Sequence, residues 1–177
     1  MLNYKPSTVA KWEVKAWQAH HFGNKYRLAY YLMRQHMELF SIHSWQAIKA
    51  MRLLVPAIRA HNYVKKDEAK KHLQRYYGLI KQYTDYSYDV EKVAHQEAAW
   101  WWVHDELEHE TDKSKLILAF AKLYAAILSV PVATTMKTGE LRTQATLYHD
   151  LAESKQTAPT EVENYWQQTE TALTNFY

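Results

Sequence analysis

Trp12, Ala16, Ala19, Gly23, Tyr26, Tyr30, Met33, Met37 and Phe40 follow one another in steps of four and three. That spacing keeps all nine on one side of an α-helix. It predicts a long first helix over about residues 8–40, capped by Ser7 or Thr8, with Gly23-Asn24 as the place for a kink. The rival reading splits the helix there, because glycine is a natural helix stop. A second helix opens at His43 or Ser44 and runs to about His61, with Pro56 set to kink or shorten it. Asp67 caps a third, to about Thr84, whose inward positions are Leu73, Tyr76, Tyr77 and Ile80. Asp89 caps a fourth, to about His109. A fifth starts at Thr111 or Asp112 and ends near Ser129, before Pro131. A sixth covers about Thr134 to Ala152, and the capping box Thr160-xx-Glu163 announces a seventh.

No segment alternates with a period of two, and the connections are short. The pattern therefore predicts an all-α fold: one helical domain over residues 1–177, a bundle of about seven helices. Only 3 Gly and 4 Pro occur, too few for the turns of an all-β protein. Apolar residues at 47% and charged residues at 23% are the mix of a globular chain.

The chain has no cysteine, so disulfides, thiol catalysis and thiolate metal sites are excluded, in keeping with a cytoplasmic location. Its first residues show no apolar run of a signal peptide. The longest apolar stretch, 116–132, is interrupted by Lys122 and Pro131 and falls short of the ~20 residues of a membrane span. No membrane partner is expected on that ground. The net charge of +3 is mild. Lys65, Lys66, Lys70, Lys71 and Arg75 form a basic run, but Asp67 and Glu68 sit among them, the pattern of a solvated helix face. Nucleic acid is an unfavoured partner.

Candidate chemistry rests on a pattern carried twice. Glu13-xxx-Trp17-xx-His20 recurs as Glu97-xxx-Trp101-xx-His104. At about 100° per residue, the three positions fall within some 60° of one helix face. Seven residues rise ~10.5 Å, so Glu and His of one copy cannot share a metal ion. A continuous first helix would run antiparallel to the fourth. Glu13 would then lie near His104, and Glu97 near His20, with the indoles between. A break at Gly23 would make the two parallel and set Glu against Glu. The competing structural account is packing, with each imidazole satisfied by a nearby carboxylate.

Weaker signals surround this pattern. His104 and Glu108 are one turn apart. Trp100, Trp101 and Trp102 sweep about 200° of the fourth helix and cannot all face one neighbour. Of Glu140 and Arg142, at most one points inward. His149-Asp150 reads as surface or capping polarity. No phosphate-binding glycine loop, nucleophile elbow or zinc-protease motif is present.

The segments HLQRYYGLIKQY, EAAWWWVHDELE, DKSKLILAFAKLYAAILSVP and GELRTQA resemble a family of small helical bacterial proteins of unknown function. The shared features are a Trp-Trp-x-x-His segment and a Leu-rich helix carrying Leu-Tyr-Ala-Ala. The resemblance covers about half the chain. It implies an all-helical fold, with Trp101 or Trp102, His104, Glu140 and Arg142 on the family pattern, and no activity. The chain departs from the pattern where Asp105, not a basic residue, follows the histidine.

The leading expectation is a non-catalytic binding or interaction module that forms a homodimer through exposed aromatic surface. The second is a protein binding a metal or small ligand, in one version an enzyme, at Glu13, Trp17, His20, Glu97, Trp101 and His104. No cofactor and no catalytic residue can be assigned from the residues.

Overall fold

The computed structural model describes residues 4–107, 110 and 112–177, and among these every regular element is helical. The order is α1 (Pro6–His21), α2 (Lys25–Phe40), α3 (Ser44–Asn62), α4 (Lys66–Tyr83), α5 (Val90–Glu106), α6 (Ser114–Leu128), a short 3₁₀ turn (Val132–Thr135), α7 (Met136–Glu153) and α8 (Pro159–Phe176). The eight helices, in place of about seven, come from one correction. The long first helix is two helices. Glu108 and Thr111, as partner of His104 and as opener of the fifth predicted helix, lie outside the described residues.

The break has a local cause. Gly23 takes φ +65°, the left-handed conformation that costs glycine little. The Asn24 amide then donates to the Ala19 carbonyl at 2.8 Å, and the Gly23 amide to His20 at 2.9 Å. These bonds cap the orphan carbonyls at the end of α1. Asn24 opens α2 by accepting the Arg27 amide on its side chain at 3.1 Å. A stop and a start side by side outweigh a seam that would have favoured continuity.

The same closure recurs at three other helix ends. Ile42 donates to Met37, Lys65 to Ala60 and Val130 to Ala125. The left-handed residues there are Ser41, Val64 and Ser129. Pro131 follows the last of these. Pro56 does not end α3, which continues six residues past it to Asn62. Asp89 caps α5 by accepting the Lys92 amide at 3.0 Å. Three other expected caps are not used. Lys5 precedes Pro6 at the start of α1, Lys65 precedes α4, and Ala158 precedes Pro159 at the start of α8. At α1 and α8, prolines at the first helical position supply the preset φ instead.

The chain's contacts divide it into two compact units, residues 1–47 with 141–177, and residues 48–140. In the first, α1 packs against α2 and α8. Its core gathers Ala10 and Val14 of α1, Ala145 and Ala152 of α7, and Trp166, Ala172 and Leu173 of α8, with Trp17 and Phe176 against them. In the second, α5 packs against α4 and α6. Leu107, Leu116 and Phe120 form a buried cluster there, flanked by Trp100, Val103 and Tyr124. Leu73, Ile80, Tyr88 and Val93 are fully buried as well.

Candidate functional site

Each copy of the Glu-Trp-His pattern lies in a different unit, and each has its own partners. In the first unit, Glu13 is 4% exposed and Arg142, at the start of that unit's part of α7, is 9% exposed. An Arg142 guanidinium nitrogen donates to Glu13 Oε1 at 2.6 Å. The Tyr177 hydroxyl donates to Glu13 Oε2 at 2.5 Å, and Gln35 donates to that hydroxyl oxygen at 3.3 Å. Both carboxylate oxygens are therefore bonded. The guanidinium carbon sits 5.3 Å from the Trp17 ring centre and 5.4 Å from that of Phe176, so the cation lies between two aromatic faces.

His36 of α2 is buried near this carboxylate. Burial lowers its pKa, against the opposing pull of the Leu32 carbonyl bond and the Glu13 charge. Its Nδ1–H donates to the Leu32 carbonyl at 2.8 Å. A neutral imidazole beside a neutralised carboxylate is a low-charge arrangement suited to an interior.

Trp17 of the pattern touches a second cluster. Its ring lies 4.5 Å from that of His149, and Trp166 lies 5.7 Å from the same imidazole. His149 Nδ1 is 3.0 Å from Asp150 Oδ1, and its Nε2 is 3.2 Å from Glu153 Oε1. Burial alone would lower the His149 pKa, but the two carboxylates outweigh it and carry the value up to about 9. Glu153 answers in the opposite sense. Burial raises its pKa, and His149, with His21 and His20, brings it below the ordinary value. His20 itself is exposed. So in the first copy the carboxylate is buried, the indole is half-buried and the imidazole stands at the surface.

In the second unit, Glu97 accepts the Tyr77 hydroxyl on Oε2 at 2.8 Å and the Trp101 indole N–H on Oε1 at 3.1 Å. Burial and the Glu97 charge push the Tyr77 and Tyr76 hydroxyls well above their usual pKa, so both are neutral at any ordinary pH. His104 is half-buried, with Nδ1 3.9 Å from Asp105 and its ring 6.4 Å from Trp100. The imidazole that meets the tryptophan run is His61 of α3. It lies 5.2 Å from Trp101 and 4.7 Å from Trp102, and its Nε2 is 3.1 Å from Asp105. Trp100 turns the other way and packs on Phe120 at 4.7 Å. The wide sweep of three adjacent indoles thus serves two neighbours.

The antiparallel pairing of Glu13 with His104 and Glu97 with His20 assumed an unbroken first helix, which the stop at Gly23 removes. The partners described above for each carboxylate lie within its own unit. Arg142 emerges as the inward member of its pair, whereas Glu140 is exposed and bonds Lys137 at 2.9 Å. His149 is a half-buried, doubly engaged cation and not surface polarity. The His149-xxx-Glu153 spacing, one helical turn, was the available signal for it. Nothing in the sequence pointed to Tyr177, His36 or His61, which reach their partners only through tertiary contact.

Among the described residues, no group of three or more His, Asp or Glu is disposed to hold a metal ion. No single helix among them is long and apolar enough to cross a membrane. Comparison with known proteins returned no matching family model, no matching curated protein and no matching solved structure.

Proposed function

We propose that this protein is a non-catalytic interaction module that self-associates through α2, each unit being a small helix bundle. The observation carrying this reading is the surface of α2. His36 is its one buried residue, although Tyr26, Tyr30, Met33, Met37 and Phe40 form an apolar seam along it. Tyr26 and Tyr30, one turn apart on α2, are 92% and 46% exposed. Large aromatic side chains exposed along one helix face are the mark of an interface.

The seam also names the occupant. Steps of four and three over two heptads are the pattern by which a helix packs on a like helix. A second copy offers the same seam, and a two-fold axis would bring the two together as an isologous pair. The polar clusters support a scaffold role. Glu13, Glu97 and His149 each already hold partners from their own unit, which locks helices in place.

Sedimentation velocity tests the proposal. The wild-type chain should sediment at twice its 21.0 kDa mass at micromolar concentration. Tyr26→Glu, at a side chain almost fully in solvent, should yield a folded monomer. A wild-type chain that stays monomeric at hundreds of micromolar would refute it.

A further inference from the structure

The second unit carries a surface of a different kind on the outward side of α3 and the turn after it. From Phe40 to Lys66 the chain has no Asp or Glu, yet it holds Lys49, Arg52, Arg59, Lys65 and Lys66. These five charges exceed the net charge of the whole protein, so the remainder is net negative. Ile48, Val55 and Ile58 are exposed on α3, and Arg52, Arg59 and Asn62 stand exposed among them. With about 100° per residue, Ile48, Arg52, Val55, Arg59 and Asn62 span roughly 80° of one face. At the tip, Tyr63 and Val64 are 76% and 70% exposed.

The tip is held under strain. Val64 has φ +58°, a conformation that a β-branched residue strongly disfavours. Bonds from the Val64 amide to His61 and from the Lys65 amide to Ala60, both 2.8 Å, hold it there. Glycine would satisfy the same turn without strain. The chain instead keeps an isopropyl group at the apex, in solvent, next to an aromatic ring and two lysines.

From this we infer that α3 and the Tyr63-Val64 tip dock on an anionic lipid surface. The helix would lie in the headgroup layer, and the tip would enter the acyl boundary. A membrane fits better than nucleic acid or an acidic protein because the apolar groups and the cations share one face. Arginine stems can lie along the acyl boundary while their guanidinium groups reach lipid phosphate. Tyr63 is the type of side chain that settles at such an interface. The expectation of no membrane partner came from span length, and a helix lying in the interface needs no span. Lys65 is shared with Glu68 at 3.2 Å, and Lys66 with the Trp102 ring at 5.3 Å, so Arg52 and Arg59 are the better electrostatic probes.

The test is co-sedimentation with vesicles of phosphatidylcholine containing phosphatidylserine, compared with phosphatidylcholine alone. Binding should require phosphatidylserine and weaken with salt. Arg59→Ala should reduce partitioning roughly fivefold, and Val64→Gly about tenfold. Val64→Gly relieves strain, so its thermal melt should equal or exceed that of the wild type; weaker binding then cannot be ascribed to unfolding. No binding to anionic vesicles at low salt would overturn the inference. So would binding unchanged by both substitutions, or retention on RNA or acidic protein without vesicle binding.

Discussion

Replacing Glu13 by Gln preserves the shape of the first unit's centre and removes its negative charge. Arg142, with its side chain 10% exposed, would then face a neutral amide, while still lying between Trp17 and Phe176. The ring faces attract the cation but cannot replace a carboxylate at 2.6 Å. Breaking a buried pair from one side costs about 3–5 kcal/mol, because the surviving charge is left without its partner. In a chain of this size that corresponds to a melting-point fall of roughly 6–20 °C. The cost should not be mistaken for the worth of the pair. Glu13→Gln combined with Arg142→Met removes both charges and keeps most of the volume. The double variant should therefore be more stable than Arg142→Met alone, and the double-mutant cycle should show strong coupling. Arg142→Met leaves a buried carboxylate without its cation. Urea denaturation measures all of this. If each single variant costs less than about 1 kcal/mol, or if the two costs simply add, the ion pair is not the lock described.

His149 sets a pH dependence of its own. Its folded pKa of about 9 lies above the ordinary 6.5, so its contribution is fully present below pH 6.5 and is lost as pH rises through 9. The span corresponds to a contribution on the order of 3 kcal/mol. His149→Gln should flatten the stability profile over that window, and a mutant as pH-sensitive as the wild type would disprove the assignment. Two glycines in the second unit give a contrast. A Cβ on Gly139 would clash with the Ile117 carbonyl oxygen and crowd the Ala121 amide at 3.1 Å, both backbone atoms, so Gly139→Ala should destabilise by about 1–3 kcal/mol. Gly78, inside α4, has only Val90 at 4.0 Å, so Gly78→Ala should stabilise by about 0.5–1 kcal/mol. Thermal melts showing both substitutions moving the same way would contradict this packing.

The helical class and most helix positions were legible because helix periodicity is local: the second to seventh predicted helices correspond to α3–α8 within a few residues. Most helix ends were legible as well: those read near Phe40, His61 and Ser129 lie within three residues of the left-handed turns at Ser41, Val64 and Ser129. The exception is Gly23, where the apolar seam favoured continuity. The Glu13 and Glu97 patterns marked carboxylates that do sit in polar, aromatic surroundings. Which groups surround them was not legible. Arg142 reaches Glu13 across 129 residues and Tyr177 across 164. His61 reaches Trp101 from another helix.

The amino-acid order by itself determined that this chain is helical, because the spacing that buries apolar side chains and the residues that cap helices act within a few positions. Only the tertiary structure decided which carboxylate meets which cation. That choice depends on how helices far apart in the chain pack, as α1 and α7 do where Arg142 meets Glu13 across 129 residues.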